Sequence, residues 1–251
     1  MPNTNTTQEL GQIRELVESL FCDDSAVLVN DSQSLYELFV AAIDSPVDYP
    51  RLADCVFPGD RVSILLQSNL PDAAVVLDCL VQAMSASGIE TEDLLVVISE
   101  TTRRELKLTV GEAPANVDDP TYWFDSDSRH RLRFLVHNTE DERAVAYLAA
   151  NMQGNPVYVN RMLHESDFVI PVCSPGPNGI SGDCLYPEFS NHETIRRFRK
   201  KKDSAKERNA EVRLANAALG IFFTLELVAG PGDKIEEVLC GESQQLSLIH
   251  I

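Results

Sequence analysis

Two side chains with useful chemistry stand where apolar runs that predict buried strands come to an end. Arg103 follows the run at 94–99, and His137 closes the run at 132–137. An arginine can hold a carboxylate through two parallel hydrogen bonds, and a histidine can move a proton near neutral pH. Arg103 is therefore a candidate for substrate binding and His137 for catalysis. The plainer interpretations are a surface arginine at a helix start and a hydrogen-bonded core or loop histidine.

A long loop rich in glycine and proline follows another apolar run, at 167–172. A structureless loop of about eighteen residues is uncommon in a compact domain unless it is functional or disordered. Asn178 and Ser181 are its candidate binding residues, and Asp183 is a candidate catalytic carboxylate. Backbone N–H groups in such a loop can also bind anions. A flexible loop without a binding role explains the composition equally well.

The elements that must position these residues form an α/β pattern. The sequence predicts strands at 61–66, 94–99, 132–137 and 167–172, with helices between them. Strand, helix, strand at this spacing implies parallel pairing through right-handed crossovers. We therefore expect a mostly parallel sheet with helices on both faces. Since each loop leaves a strand at its carboxyl end, residues 67–71, 99–103 and 173–183 should line one cleft.

Other local signals predict the remaining elements. Apolar spacing predicts helices at 10–21, 72–85 and 207–219, and a short strand at 26–29. Capping-box patterns place helix starts at Ser34 and Ser190. A further short helix is predicted near 103–110, and 111–130 is predicted to be a loop-like acidic insertion. Two hairpins are predicted, made of 145–149 with 156–159 and of 221–228 with 235–239.

Composition limits the possible partners. The chain of 251 residues carries 21 basic and 39 acidic residues, for a net charge of −18. That charge disfavours nucleic acid and anionic membrane surfaces, so a small molecule or a protein is the expected partner. No apolar run reaches membrane-spanning length and no secretory signal is present, so we expect a cytoplasmic protein. The basic run at 196–202 is predicted to be a solvated helix face.

The chain also resembles the amino-terminal domain of the nickel-pincer lactate racemase family. The resemblance is carried by G-x-P-V-Y-V-N-R at 154–161, E-S-D-F-V-I at 165–170, and the later S-G, P and E-T-I of the loop and helix start. Further matches are P-G-D-R-V at 58–62, V-H-N at 136–138, and residues 219–241. Together they cover residues 35–241 and imply a lactate-racemase-like α/β domain.

The resemblance also implies where substrate and cofactor groups belong, and this chain departs from the family there. The family's substrate-binding Asp-x-Thr-Arg-Pro corresponds to QSNLP, which includes Asn69, and its Gly-Thr-His-Arg corresponds to ETTR, which retains Arg103. The family loop supplies a catalytic histidine and the lysine that tethers the pincer nucleotide. Residues 174–185 contain neither, and Asp183 or Cys184 falls near the lysine position. The later nickel-binding histidine is replaced by the basic region, so we expect no cofactor.

These observations leave three functions open. The first is a 2-hydroxyacid racemase or epimerase of the family, here degenerate at the cofactor site. The second is a non-catalytic relative that binds a small carboxylate or a protein through the cleft. The third is a different enzyme that reuses Asp183, Arg103 and His137. Fold alone does not choose among them.

The expected organisation is an N-terminal extension at 1–34, the α/β domain at 35–241, and a tail at 242–251. The last six residues of the tail, LSLIHI at 246–251, resemble a translated sequencing-adapter sequence more than a protein terminus. We expect residues 246–251 to make few contacts with the core. We also expect the chain to be the amino-terminal part of a longer protein whose second domain covers the cleft.

Overall fold

The computed structural model describes residues 25–91, 94–106, 122–125, 131–175, 185–200, 204–243 and 246. Its helices are α1 Ser25–Asp44, α2 Leu52–Cys55, α3 Ala73–Ala86, α4 Glu100–Glu105, α5 Arg161–His164, α6 His192–Arg199 and α7 Ala205–Ala218. Its strands are β1 Val62–Leu66, β2 Leu94–Ile98, β3 Tyr122–Asp125, β4 Arg131–Val136, β5 Val145–Ala150, β6 Pro156–Asn160, β7 Phe168–Cys173, β8 Phe223–Ala229 and β9 Ile235–Glu242. The predicted helix at 10–21 lies outside these residues.

Seven strands form one sheet in the order β3-β4-β2-β1-β7-β8-β9. The five inner strands pair in parallel, and the edge strands β3 and β9 are antiparallel to their neighbours. The four predicted strands are all present and parallel, within a residue or so of the predicted bounds. Both predicted hairpins are also confirmed, β5 with β6 as a separate two-stranded sheet and β8 with β9 at the edge.

Helices and the small sheet cover the large sheet on both faces, as predicted. Every residue of β1 and β2 is buried, which explains their unbroken apolar runs. Ile64 and Leu66 face a core that includes residues of α1 and α3, whereas Leu65 faces a second core with α7, β5 and β6. The alternation follows from the two-residue period of a strand. The mostly parallel α/β fold is therefore built on two separate cores.

The predicted short strand at 26–29 is wrong, because these residues belong to α1. A short apolar run is ambiguous between helix and strand when it is taken alone. Leu35, Phe39 and Ile43 recur every four residues farther along α1 and are buried against α3. Ser34 therefore lies inside the helix and does not cap it. The helix also crosses the predicted domain boundary between residues 34 and 35 without a break.

Two other helix starts differ from the prediction because the capping residue is a different one. Ser99, whose hydroxyl accepts the N–H of Thr102, starts α4 at residue 100 instead of 103. Asn191, and not Ser190, caps α6. Within the predicted insertion at 111–130, residues 122–125 form the edge strand β3. The rest of that insertion lies outside the described residues.

The end of the described chain is attached to the domain. Strand β9 continues to Glu242, and Gly241 lies so close to the backbone of Val47 that a Cβ at this position would approach its carbonyl oxygen to 2.2 Å. Leu246 is completely buried, and the hydroxyl of Ser243 lies 2.7 Å from that of Thr224. The prediction that residues 246–251 make few contacts is therefore wrong for Leu246, and residues 247–251 lie outside the described residues. Among the described helices, none is both long and apolar enough to span a bilayer.

Candidate functional site

A cleft of about 1080 Å³ opens at the carboxyl ends of β1, β2 and β4. The segments that follow these strands line one side of it, and residues of α6 and α7 line the other. This is where an open parallel sheet is expected to bind ligands. Residues 67–71 and 99–103 contribute to the lining, as predicted. Of the third predicted segment only 173–175 is described, and its Ser174 N–H donates to the Gln67 side chain over 2.8 Å.

Three predicted site residues, Asn69, Arg103 and His137, line this cleft together. Asn178, Ser181 and Asp183 lie outside the described residues. Their proposed roles therefore remain predictions. The spatial convergence that sequence position suggested for the first three residues is present in the fold.

Arg103 and Asn69 are held by carboxylates of α4. The Arg103 guanidinium donates to both oxygens of Glu100, over 2.8 Å from Nε and 2.6 Å from Nη2. These hydrogen bonds hold the pKa of Glu100 below its usual value. Asn69 has a φ of 63°, in the left-handed region that asparagine tolerates better than most residues, and its N–H donates to Glu105. Arg103 thus presents a guanidinium that is already oriented by its own helix.

His137 is buried, with a side chain that has both ring nitrogens engaged. Nε2 lies 2.7 Å from the carbonyl oxygen of Ser190, and Nδ1 lies 2.9 Å from the Asn160 amide nitrogen. The partners assign a neutral ring that donates from Nε2 and accepts at Nδ1. Burial lowers the pKa of His137, and the hydrogen bond to the Ser190 carbonyl opposes this only in part. The geometry gives His137 a structural task, which is to fix the end of β4 to the segment before α6.

A cluster of hydroxyl groups that the sequence did not predict lies at the bottom of the cleft and is made by Ser68, Ser99 and Thr102. The oxygens lie 2.8 Å apart for Ser68 and Ser99, 3.2 Å for Ser68 and Thr102, and 3.1 Å for Ser99 and Thr102. The carboxylate of Glu188 accepts a hydrogen bond from the hydroxyl of Ser68. Burial raises the pKa of Glu188 above its usual value. A single glutamate between Pro187 and Phe189 forms no sequence pattern that could have revealed this.

Two arginines that the sequence did not predict as site residues, Arg199 and Arg208, also line the cleft. Arg199 ends α6 and is exposed, as predicted for the basic run, but it borders the cleft. Arg208 lies in the first half of α7 and lines the same cleft. Together with Arg103, three arginines from three helices therefore face one space. Helical spacing alone could not show that α6 and α7 present these residues to the ends of β1 and β2.

A buried ionic group next to the cleft holds α6 and α7 in place. Glu211 of α7 accepts hydrogen bonds from Arg197 of α6, from the Tyr186 hydroxyl over 2.5 Å, and from the Asn151 amide over 2.7 Å. Burial pushes the pKa of Glu211 upward, but these hydrogen bonds outweigh it and the pKa is lowered. Tyr186 also packs edge-on against Phe198, a residue of the cleft wall. The group ties the wall of the cleft to the hairpin of β5 and β6.

The donor chemistry of the described residues does not favour a metal. Among them there is no group of three His, Cys, Asp or Glu side chains arranged to hold an ion. His137 is the histidine of the cleft lining, and its two nitrogens are already used.

Comparisons with known proteins give a consistent family and fold. Residues 24–174, more than half of the chain, match the family described as the lactate racemase N-terminal domain. Among solved structures, the lactate racemase apoprotein from Thermoanaerobacterium thermosaccharolyticum is similar, with a TM-score of 0.60 and 16% sequence identity. That similarity covers 86% of this chain and 54% of the other, so the chain spans about half the length of that relative. No curated protein matches.

Proposed function

The chain belongs to the lactate racemase N-terminal domain family, and we propose that it is a lactate racemase-like domain whose cleft binds a small carboxylate without the pincer cofactor. The observation that carries this proposal is the convergence of Arg103, Arg199 and Arg208 on one cleft. Guanidinium groups bind carboxylates through charge-assisted hydrogen bonds. In a chain with a net charge of −18, such a local concentration of arginine is well suited to draw in an anion.

A small ligand fits this cleft better than a polyanion does. The acidic surface would repel nucleic acid before it reached the arginines. The cleft walls contain Ile195 and Phe198 as well as the arginines, and apolar walls with a few converging polar groups are typical of small-molecule sites. A short carbon chain with one carboxylate would use both kinds of surface.

The residues do not fit the pincer nucleotide that the family resemblance implies. Residues 174–185 contain no lysine for the covalent attachment and no histidine for proton transfer. In the described part of the cleft, the ring of His137 is buried and hydrogen-bonded at both nitrogens. Nε2 already carries the hydrogen that it donates to the Ser190 carbonyl, and Nδ1 could accept a substrate proton only by losing its hydrogen bond from Asn160. The proposal is therefore a degenerate cofactor site on a retained scaffold, with no racemisation step.

Carboxylate binding is tested by calorimetric titration of the protein with D-lactate, L-lactate and acetate. Millimolar affinity is expected, and Arg199→Ala and Arg208→Ala should each weaken it roughly tenfold, about the worth of one charged hydrogen bond. Arg196→Ala and Arg213→Ala are matched controls, since each removes an exposed arginine from the same helix without touching the cleft lining. Equal losses in the control variants, or no binding by the wild-type protein, would count against the proposal.

Cofactor independence is tested by co-expression with a pincer-nucleotide biosynthetic pathway. The purified protein should keep its intact mass and should not racemise lactate. A mass increase mapped to residues 174–185, or racemisation, contradicts the proposal. Restoring a lysine with Asp183→Lys gives a second variant for the same measurement, in which attachment would show that the lysine was the missing element.

A further inference from the structure

The hydroxyl cluster of Ser68, Ser99 and Thr102 has the form of an anion site. Its three oxygens lie within 3.2 Å of one another at the ends of β1 and β2. Ser99 is fixed further because its oxygen accepts the backbone N–H of Thr102 over 3.2 Å. Ser99 and Thr102 are buried, so their hydroxyl groups cannot all turn to water. A buried group of donors is costly unless an acceptor completes it.

The number of hydroxyl hydrogens in the cluster determines which acceptor each hydroxyl group uses. Each hydroxyl has one hydrogen to donate and can accept two. The Ser68 hydroxyl donates its hydrogen to the carboxylate of Glu188, so the hydrogen bond between Ser68 and Ser99 is donated by Ser99. Thr102 is then left to donate to Ser68 or Ser99. Every donor of the cluster therefore ends, directly or through its neighbours, on a single negative group supplied by the chain itself.

The backbone around Glu188 is fixed in a position from which its side chain reaches the hydroxyl cluster. Its neighbour Phe189 is completely buried, and the backbone of Phe189 bonds to Leu185 and Asn160 over 3.1 Å and 2.7 Å. This segment places the side chain of Glu188 against Ser68, which lies 120 positions earlier in the chain. Burial opposes ionisation and raises the pKa of Glu188, while the hydroxyl groups favour the ionised form. The side chain behaves as a tethered carboxylate ligand.

We propose that Glu188 is a built-in ligand that occupies the carboxylate subsite formed by Ser68, Ser99 and Thr102, and thereby determines which end of the cleft takes a free carboxylate. This inference rests on the proposed function. A second carboxylate at the hydroxyl cluster would meet the charge of Glu188 at hydrogen-bond distance. The free ligand is therefore left with the arginines of the same cleft lining, Arg199 and Arg208.

Chemical rescue provides the test. Glu188→Ala removes four heavy atoms, the terminal CH₂ and the carboxylate, and acetate has the same four. Acetate should bind this variant at least tenfold more tightly than it binds the wild-type protein, and should raise its melting temperature where sodium chloride does not. The gain should disappear in Glu188→Ala/Ser68→Ala. Glu188→Gln is the matched control, because its amide still fills the subsite and no gain is expected.

Two results overturn the inference: acetate binds Glu188→Ala no more tightly than wild type, or the gain survives the removal of Ser68. If Glu188→Ala does not fold, Glu188→Ser is titrated in the same way and judged by the same two results. Adding Arg199→Ala separates this inference from the proposed function. The acetate gain should persist in Glu188→Ala/Arg199→Ala, whereas lactate binding by the wild-type protein should require Arg199. Either result can therefore fail without the other.

Discussion

Glu188 and Glu211 are two carboxylates inside one chain, and they are held by different kinds of partner. Glu211 receives a guanidinium, a phenol and an amide, and its pKa is lowered despite burial. Glu188 accepts from the hydroxyl of Ser68, and its pKa is raised because burial dominates. The first group joins two helices to a hairpin, whereas the second lies in a cleft.

The different partners of Glu211 and Glu188 suit one carboxylate to stabilising the fold and the other to a binding site. An arginine brought into contact with a buried carboxylate offsets much of the cost of removing the charge from water. Hydroxyl groups give hydrogen bonds without a countercharge, so the carboxylate keeps a stronger pull toward its neutral form. A site that holds its own carboxylate without a countercharge can exchange it for the carboxylate of a free ligand. A structural anchor cannot do so without unfolding.

The largest expected effect comes from breaking the anchor. Glu211→Gln leaves Arg197 beside a neutral group, with only 21% of its side chain exposed, and should lower the free energy of unfolding by about 3–5 kcal/mol. Urea unfolding followed by circular dichroism measures this. Glu207→Gln on the same helix is the control, because a glutamine can maintain the capping box with Ser204. A loss below about 1 kcal/mol for Glu211→Gln would remove the basis of the comparison.

A smaller effect is expected from acid, through His137. Its folded pKa is below the ordinary 6.5, so the unfolded chain takes up a proton at a pH where the folded chain does not. Stability should therefore fall as pH drops from about 6.5 toward the folded pKa, with a slope of up to about 1.4 kcal/mol per pH unit. Below 4.5, Glu211 adds a loss of the same sign, since its folded pKa is lowered.

Unfolding measured between pH 7.5 and 5 tests this dependence. His137→Gln should be less stable than the wild-type protein at pH 7.5 but should show a flatter profile. His164→Gln, which changes an exposed histidine, should leave the wild-type profile unaltered. An identical slope in His137→Gln and wild type would show that another group titrates.

Glu188→Gln should change stability by less than about 1 kcal/mol at pH 7, in contrast to the same substitution at Glu211. The folded pKa of Glu188 is raised above 4.5, so ionised Glu188 opposes folding and the glutamine does not. The wild-type protein should gain stability relative to this variant as pH falls through the raised pKa toward 4.5. A large loss at pH 7 would instead make Glu188 a second structural anchor.

The smallest effect is expected at an exposed ion pair. Arg61 donates to Asp167 through two guanidinium nitrogens, but 65% and 46% of the two side chains are exposed. Arg61→Ala should leave the free energy of unfolding almost unchanged, because water already solvates both charges. The backbone N–H of residue 61 can still donate to Asp167 in the variant. A loss of stability as large as that of Glu211→Gln, at both low and high salt, would show that burial does not explain the difference between the two ion pairs.

Much of the fold was readable from local patterns. The runs of β1, β2 and β7 are apolar on both faces, and that is possible only where both faces are covered. The turn residues between β5 and β6 and between β8 and β9 predicted the two hairpins. Element boundaries failed where two residues competed to cap a helix, as Ser190 and Asn191 do before α6. Serine and asparagine are both good N-caps; the capping-box pattern predicted Ser190, whereas the structure uses Asn191.

The sequence by itself determined the class of the fold, the order of the strands along the chain, the acidic charge, and the loss of the lysine and histidine from residues 174–185. Tertiary structure decided which polar groups meet. Ser68 reaches Glu188 across 120 residues, and Ser190 reaches His137 across 53. Strand and helix periods arise from neighbours a few residues apart, so they are visible in one dimension. A hydrogen bond between distant residues depends on how the whole sheet and its helices pack, and no local pattern encodes that distance.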